Sequence, residues 1–289
     1  MDFYYINNRG QKIDLSDFPY IFQSGDLLNW AYTYSTDSLV NRDITYGYKI
    51  ASKSIPVKIA VLCDYTLSSD QRQKEWEEAV DYLCEVVSAD VIDNKNGKLC
   101  TDTGFYLPCK VIASEKTDWR MGMPLMFNTL NMLVDKPAWI REETKEFFPQ
   151  SEARKDEGLD YLYDYSYDYT AQKAGTASWY IDHYASSEFI MTIFGPCANP
   201  RILINGYPYE IFDTLESSEY IIIDSRENSV IKYLANGTTL DLYDLRAKEQ
   251  SVFEPIPSGN LNLSWNGGFG FAITLFIERN EPKWKMKSS

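Results

Sequence analysis

The chain has 289 residues, of which 44% are hydrophobic, and a formal net charge of −14. The length gives room for one large or two ordinary domains, and the apolar content is enough for a core, so disorder is not the default. Both halves share the acid excess, which argues against nucleic acid as a main partner, because such binding rests on Lys and Arg neutralising phosphates.

In chain order, residues 3–65 read as short strands: Phe3–Ile6, Ile44–Ile50 and Val57–Asp64, with a turn at Asn7-Asn8-Arg9-Gly10 and Pro56 at a strand start. Ser68-Ser-Asp-Gln71 is a capping box, in which serine and glutamine side chains satisfy free amides at a helix start. Behind it Trp76, Ala79, Val80, Leu83, Cys84 and Val87 recur at helical spacing, with Glu75, Glu77, Glu78, Asp81 and Glu85 on the opposite side. This predicts an amphipathic helix from Gln71 to Val87 lying across a sheet, its acidic row solvated. Asn96-Gly97 predicts a hairpin turn, and Phe105–Ser114 and Leu125–Val134 predict strands. Residues 141–155, charged and containing Pro149, read as a linker, dividing the chain into domains 1–145 and 146–289.

Tyr161, Tyr163, Tyr165, Tyr167 and Tyr169 then alternate with other residues, which places all five rings on one side of an extended segment. They and Trp179 are the candidate contacts for a partner or a sugar, since an aromatic ring gives large contact area with few rotors. The bland alternative, rings lying against the second domain, is favoured. From Ser187 onward hairpins repeat. Asn205-Gly206 predicts a two-residue turn that sets Ile204 opposite Tyr207 and Ile202 opposite Tyr209. Tyr220–Ile223, Val230–Leu234 and Thr238–Leu242 continue a β-sandwich pattern, with Asn236-Gly237 at another turn. Near the end, Leu261, Leu263 and Trp265 alternate with polar residues, and Phe269, Phe271, Ile273, Leu275 and Ile277 alternate with small ones. A loop at Asn266-Gly267-Gly268 would make these a hairpin pairing Trp265 with Phe269 and Leu263 with Phe271.

Catalytic constellations are wanting. His183 is the only histidine, so it would have to serve any Ser-His-Asp or Cys-His system, and no motif flanks it. Histidine-cluster metal sites are excluded by the count, and Asp160, Asp164 and Asp168 do not fit EF-hand spacing. Asn266-Gly-Gly-Phe-Gly270 precedes a strand, whereas phosphate cradles open onto a helix. The five cysteines form no C-x-x-C and read as reduced, mostly buried thiols of a chain folding in a cytoplasm. The N-terminus lacks a secretory signal pattern, and no apolar run is long enough to span a bilayer. No catalytic, cofactor-binding or metal residue is assigned, no cofactor is expected, and the chain does not read as an enzyme. Carboxylate pairs of glycosidase type stay open, because separation is invisible in sequence.

A family resemblance runs through most of the chain. It rests on Ser24-Gly25-Asp-Leu-Leu-Asn-Trp30, the helix, Asn96-Gly-Lys-Leu99, Phe105-Tyr-Leu-Pro-Cys109, Leu133–Ile140, Ile193–Pro200, Tyr220–Ser225, Pro255–Gly259 and Glu278–Trp284, in that order. The chain resembles the distal tail (Dit) family of long non-contractile-tailed phages and prophages of Gram-positive bacteria, the baseplate hub family. The resemblance implies a mainly β fold: an N-terminal β-sandwich or split-barrel ring domain with one α-helix, and a C-terminal galectin-like β-sandwich. It also implies a homohexameric ring at the virion tail tip, assembled in the host cytoplasm. Such a ring joins the tail tube protein to a tail-associated fibre or lysin protein and, in some phages, to a receptor-binding protein. Sugar-binding galectins use a histidine, asparagine and arginine set, and the comparable Ile202–Tyr209 stretch has no histidine. A carbohydrate-binding module for host wall polysaccharide, working through the C-terminal sandwich with Trp179, Trp265 or the Tyr161–Tyr169 strip, is the alternative function. Without that histidine, the implied galectin-like fold does not by itself carry sugar binding over to this chain.

Overall fold

The structure is a computed structural model that describes residues 1–120, 122–150 and 175–284. It is mainly β, with one α-helix among the described residues, and every strand pairing whose register is resolved is antiparallel. The chain divides into two compact units: Met1–Arg141 with the segment that begins at Glu278, and Glu142–Ile277. The division falls inside two strands, Trp139–Phe147 and Phe271–Arg279. It differs from the 1–145 and 146–289 reading, because the chain end returns to the first unit and because the supposed linker after Arg141 continues as a strand. In that strand Glu142, Thr144 and Glu146 alternate with other residues, a period-two pattern that its charge had disguised.

In the first unit Tyr20–Gly25, Lys53–Val61, Met126–Val134 and Tyr106–Thr117 pair in that order. Tyr106–Thr117 changes partner along its length: Lys110–Thr117 pairs with Met126–Val134, while Tyr106–Cys109 pairs with Gly97–Thr101. Gly97–Thr101 pairs in turn with Phe3–Ile6, and the sheet curls around an apolar core. The helix, Ser69–Ile92, is longer than its amphipathic run suggested. At its start the Gln71 Oε1 accepts from the Ser68 hydroxyl at 2.8 Å and from the Ser68 amide at 3.4 Å. It is held to the strands by polar contacts at both ends: Trp76 Nε1 donates to the Val61 carbonyl at 3.2 Å and the Tyr20 hydroxyl to the Ala79 carbonyl at 2.8 Å. Near its end the fully buried Asp90 accepts from the Tyr5 hydroxyl and, at 2.7 Å, from the Asn8 amide. Gly97 begins a strand instead of closing a two-residue turn. A Cβ there would meet the Ile6 carbonyl oxygen at 2.9 Å and press on the Asp90–Tyr5 pair, so this glycine is required by close approach.

The second unit is two facing sheets. One orders Gly175–Ile181, Gly259–Trp265, Arg201–Ile204 and Tyr207–Glu210. The other runs Thr239–Asp241, Ser229–Tyr233, Tyr220–Asp224, Glu188–Phe194 and Phe271–Arg279. The Asn205-Gly206 turn has the expected register, Ile204 opposite Tyr207 and Ile202 opposite Tyr209. The expected closing hairpin does not form. Gly259–Trp265 pairs with Gly175–Ile181 and Arg201–Ile204, and Phe271–Arg279 pairs with Glu188–Phe194, so the segment between them crosses from one sheet to the other. Both apolar rows still reach one core, because the inner faces of two packed sheets meet just as residues on one face of a hairpin do. Trp265 keeps its neighbour by another route: its Nε1 donates to the Phe269 carbonyl at 3.0 Å.

Lys232 lies nearly buried at one edge of this unit. Its Nζ is 3.0 Å from Asp213 Oδ2, 3.2 Å from Glu219 Oε2 and 2.7 Å from the Thr214 carbonyl. Burial acts to lower the Lys232 ammonium, but Asp213 and Glu219 outweigh it and hold the group above its ordinary value. The Glu216 amide, donating to Glu219 at 2.9 Å, holds the Glu219 carboxyl below its ordinary value, with Lys232 adding to the effect. A depressed carboxyl stabilises the fold above its unfolded pKa and loses that contribution as pH falls through its folded pKa. The raised Lys232 weakens the fold only on the alkaline side of the ordinary lysine range. Acid titration of thermal stability should therefore show a decline below the ordinary glutamate range that is shallower in Glu219→Gln. An identical acid limb in the variant would remove Glu219 from the account.

Candidate assembly arm

The most unusual surface of the first unit is a two-stranded arm, Thr33–Leu39 paired only with Arg42–Lys49. Every residue of both strands is exposed, and Val40 at its tip is 100% exposed. A lone hairpin without a core to lie on is marginal in water, and ordinary surface strands hide one face. This one hides neither. Ser35–Tyr46, Asp37–Ile44 and Leu39–Arg42 are opposite pairs on one face; Thr36–Thr45 and Ser38–Asp43 are pairs on the other. Tyr34 and Tyr48, each 64% exposed, meet with ring centroids 6.4 Å apart, and the Tyr46 hydroxyl donates to Asp37 Oδ1 at 3.1 Å.

The arm's base is anchored by the chain end. Trp30 Nε1 donates to Glu281 Oε1 at 3.0 Å, and the Tyr32 hydroxyl and Asn280 side chain interact at 3.1 Å. Trp30 and Tyr32 pack edge to face, 5.6 Å between centroids, and Lys53 Nζ donates to the Asn29 carbonyl at 2.6 Å. Lys136 and Glu278 form an ion pair at 2.6 Å. Glu278–Trp284, an element of the family resemblance, thus serves the first unit. Within the arm the register shifts between Thr33 and Ser35, beside Gly47, whose φ is +66°. A Cβ at Gly47 would make only ordinary contact with Ser35, at 3.5 Å to its Oγ, so the constraint is the backbone conformation. Gly47→Ala is expected to destabilise the arm by about 1 kcal/mol, seen as faster amide exchange across Thr33–Lys49 with the core strands unchanged.

Sequence reasoning recognised only the Ile44–Ile50 part of this element as a strand. The signal present was alternation at Trp30, Tyr32, Tyr34 and again at Ile44, Tyr46, Tyr48. The candidate contacts Tyr161, Tyr163, Tyr165, Tyr167 and Tyr169 lie outside the described residues. Trp179 is only 7% exposed; its ring packs edge to face on Phe147 at 6.2 Å, with Lys145 Nζ 5.7 Å from its centroid. It is a core residue with no open face for a sugar, because its strand presents it on the inward side of the sandwich. Trp265 is inward as well. All five cysteines are free: Cys63, Cys100 and Cys109 are buried, Cys197 is half-buried, and Cys84 is exposed on the helix, where Val86 and Val87 take the core side instead. Burial pushes the Cys109 thiol up to about 12, which makes it a poor nucleophile at neutral pH. His183 packs against Tyr184, 4.5 Å between centroids. Among the described residues no group of three or more His, Cys, Asp or Glu is placed to hold a metal ion. No described helix is long and apolar enough to cross a membrane.

Architecture and surface together define a mainly β protein of two units carrying a projecting arm. No protein-family model and no curated protein matches the chain. Among solved structures it is similar to the Dit protein of phage SPP1, described as a paradigm of the hub adsorption apparatus in Gram-positive infecting phages. That likeness has a TM-score of 0.61 at 12% identity and covers 96% of this chain and 99% of that one. It is also similar to a chain of the phage P2 baseplate in its activated conformation, with TM-scores of 0.56 in the Ca form and 0.55 in the Sr form. In both forms identity is 14%, with 97% of this chain and 99% of that one covered. At these identities the likeness is one of fold: the chain has the Dit fold over almost its whole length.

Proposed function

We propose that the protein is a structural component of a phage tail tip, with no reaction to catalyse. In this reading the first unit closes into a homohexameric ring at the tail tip of a siphophage or prophage virion, assembled in the host cytoplasm. The ring joins the tail tube protein to a tail-tip fibre or lysin protein and to receptor-binding proteins, and the second unit, a galectin-like sandwich, is the attachment platform. The observation that carries it is the arm: a hairpin exposed on both faces, on a chain whose fold is shared with phage hub proteins. A ring needs a heterologous contact, one patch on each protomer received by a different patch on the next. A projecting hairpin supplies such a patch without being self-complementary.

Mass photometry across a dilution series tests this. A six-protomer species that grows with concentration is expected. The net charge of −14 makes neighbouring protomers repel, so added salt should favour the assembled form. A chain that stays monomeric at every concentration and salt level, or stops at a dimer, would overturn the ring.

A further inference from the structure

We infer that Lys232 and Asp213 are the two ends of an intramolecular amide bond, formed with Glu219 as the proton carrier. Lys232 sits where a sandwich strand puts apolar residues. On Ser229–Tyr233 it shares the inward face with Val230, and the two stand opposite the buried Ile221 and Ile223. Asp213 follows Tyr207–Glu210 of the other sheet, and Glu219 immediately precedes Tyr220–Asp224. Nζ is 3.0 Å from Asp213 Oδ2, 3.2 Å from Glu219 Oε2 and 2.7 Å from the Thr214 carbonyl. Backbone bonds pin both acids: the Asn199 amide donates to the Asp213 carbonyl at 2.8 Å, and the Gly195 amide to the Glu219 carbonyl at 2.9 Å. An apolar residue at this inward position would serve packing as well or better, because desolvating an ion pair offsets most of its attraction.

The ion pair described above is the reactant state, and its protons already suffice. Glu219 takes a proton from the ammonium and passes it to an Asp213 carboxyl oxygen, which leaves the amine free and the acid neutral. The Nζ lone pair then attacks Asp213 Cγ; the Nζ–Cγ bond forms and a Cγ–O bond breaks. The oxygen departs as water with two of the three ammonium protons, and Glu219 ends as the carboxylate it began. The balance calls for no oxidant and no activated ester. The third proton stays on the new amide, where the Thr214 carbonyl already accepts from Nζ. Two effects favour the reaction. Well-oriented groups in contact reach effective molarities on the order of 10⁵ M or more. A neutral amide also replaces two charges on side chains that are poorly solvated, Lys232 being 9% exposed. Asp213, 25% exposed, gives the leaving water a way out. The product is a covalent staple between the two sheets, in a chain whose five cysteines are all free.

Trypsin reads the bond directly, because Arg226 lies between the two residues and Lys232 is itself a cleavage site. The purified full chain is denatured and digested, and the peptides are weighed by mass spectrometry. Residues 202–226 are expected joined to 227–246, one water lighter than the two peptides together, with the cut after Lys232 lost. Lys232→Met and Asp213→Ala should each give unbranched peptides. Glu219→Gln keeps the side-chain shape without a proton-accepting carboxylate, and should slow the appearance of the branched species by about a hundredfold or more. The inference is overturned by a folded wild-type chain that yields only free 202–226 and 227–232, or by a loss of water that maps to another pair of residues. A folded Glu219→Gln chain that crosslinks at the wild-type rate overturns it as well; where that variant does not fold, the wild-type digest decides alone. The bond concerns the second unit in any assembly state, so its absence leaves the ring untouched.

Discussion

Trp265→Ala is expected to destabilise the second unit by about 3–5 kcal/mol, much of the stability such a unit possesses. Three losses coincide at this residue. Its indole stands edge to face on Phe271 at 5.1 Å and on Phe147 at 6.2 Å, and those two rings are themselves stacked at 4.6 Å. Its Nε1 satisfies the buried Phe269 carbonyl where the chain crosses between sheets. On the opposite strand Gly175 has no Cβ, and one added there would land on the indole; the ring therefore fills space that the backbone has been shaped to leave. Removing the ring empties a cavity that rigid strands close poorly and leaves the carbonyl unpaired. Urea denaturation would read the loss, and hydrogen exchange would place it in Gly259–Trp265 and Phe271–Arg279. Trp265→Phe keeps the stacking and loses only the donor, so about 1–3 kcal/mol is expected. An alanine variant within about 1 kcal/mol of wild type would mean that the sandwich core is not organised around this ring.

The same residue shows what a sequence discloses. Alternation assigned Leu263, Trp265, Phe269 and Phe271 to one core correctly, because period two is a local property of the strand. It could not say whether the rows share a sheet or face each other across a sandwich, since both arrangements bury the same side chains. Asn205-Gly206 was legible in full because a two-residue turn fixes its own register. Asp90 was not: a carboxylate on a helix reads as solvated, and only the fold brings Tyr5 and the Asn8 amide to it. The anchoring of the arm by Asn280 and Glu281 is likewise invisible, because residues some 250 positions apart share no local pattern. The arm itself was half seen. Alternation says that a strand has two faces, whereas its distinguishing property is that neither is covered, and burial is a tertiary fact.

That exposure makes the arm the place where assembly can be separated from folding. Tyr34→Asp with Tyr48→Asp should raise the concentration needed for ring formation by at least about a hundredfold, given that aromatic anchors at the centre of an interface are each worth about 2 kcal/mol or more. Ile44→Asp, on the face that also carries Leu39 and Tyr46, should act in the same direction if a neighbour grips the arm from both sides. The monomer should hardly notice, because exposed substitutions away from packed features stay within about 0.5 kcal/mol. The Tyr34–Tyr48 contact is the one ring–ring interaction within the arm strands that the double variant removes. Mass photometry at matched salt would give the assembly curve, and a thermal melt would give the monomer control. Variants that assemble at the wild-type concentration would free the arm from the ring and point it toward another tail protein, whereas a wild-type chain that never assembles would remove the ring itself. An unchanged melt with abolished assembly is the expected pairing, because two aspartates on a water-exposed hairpin cost little until a second protomer must bury them without partners.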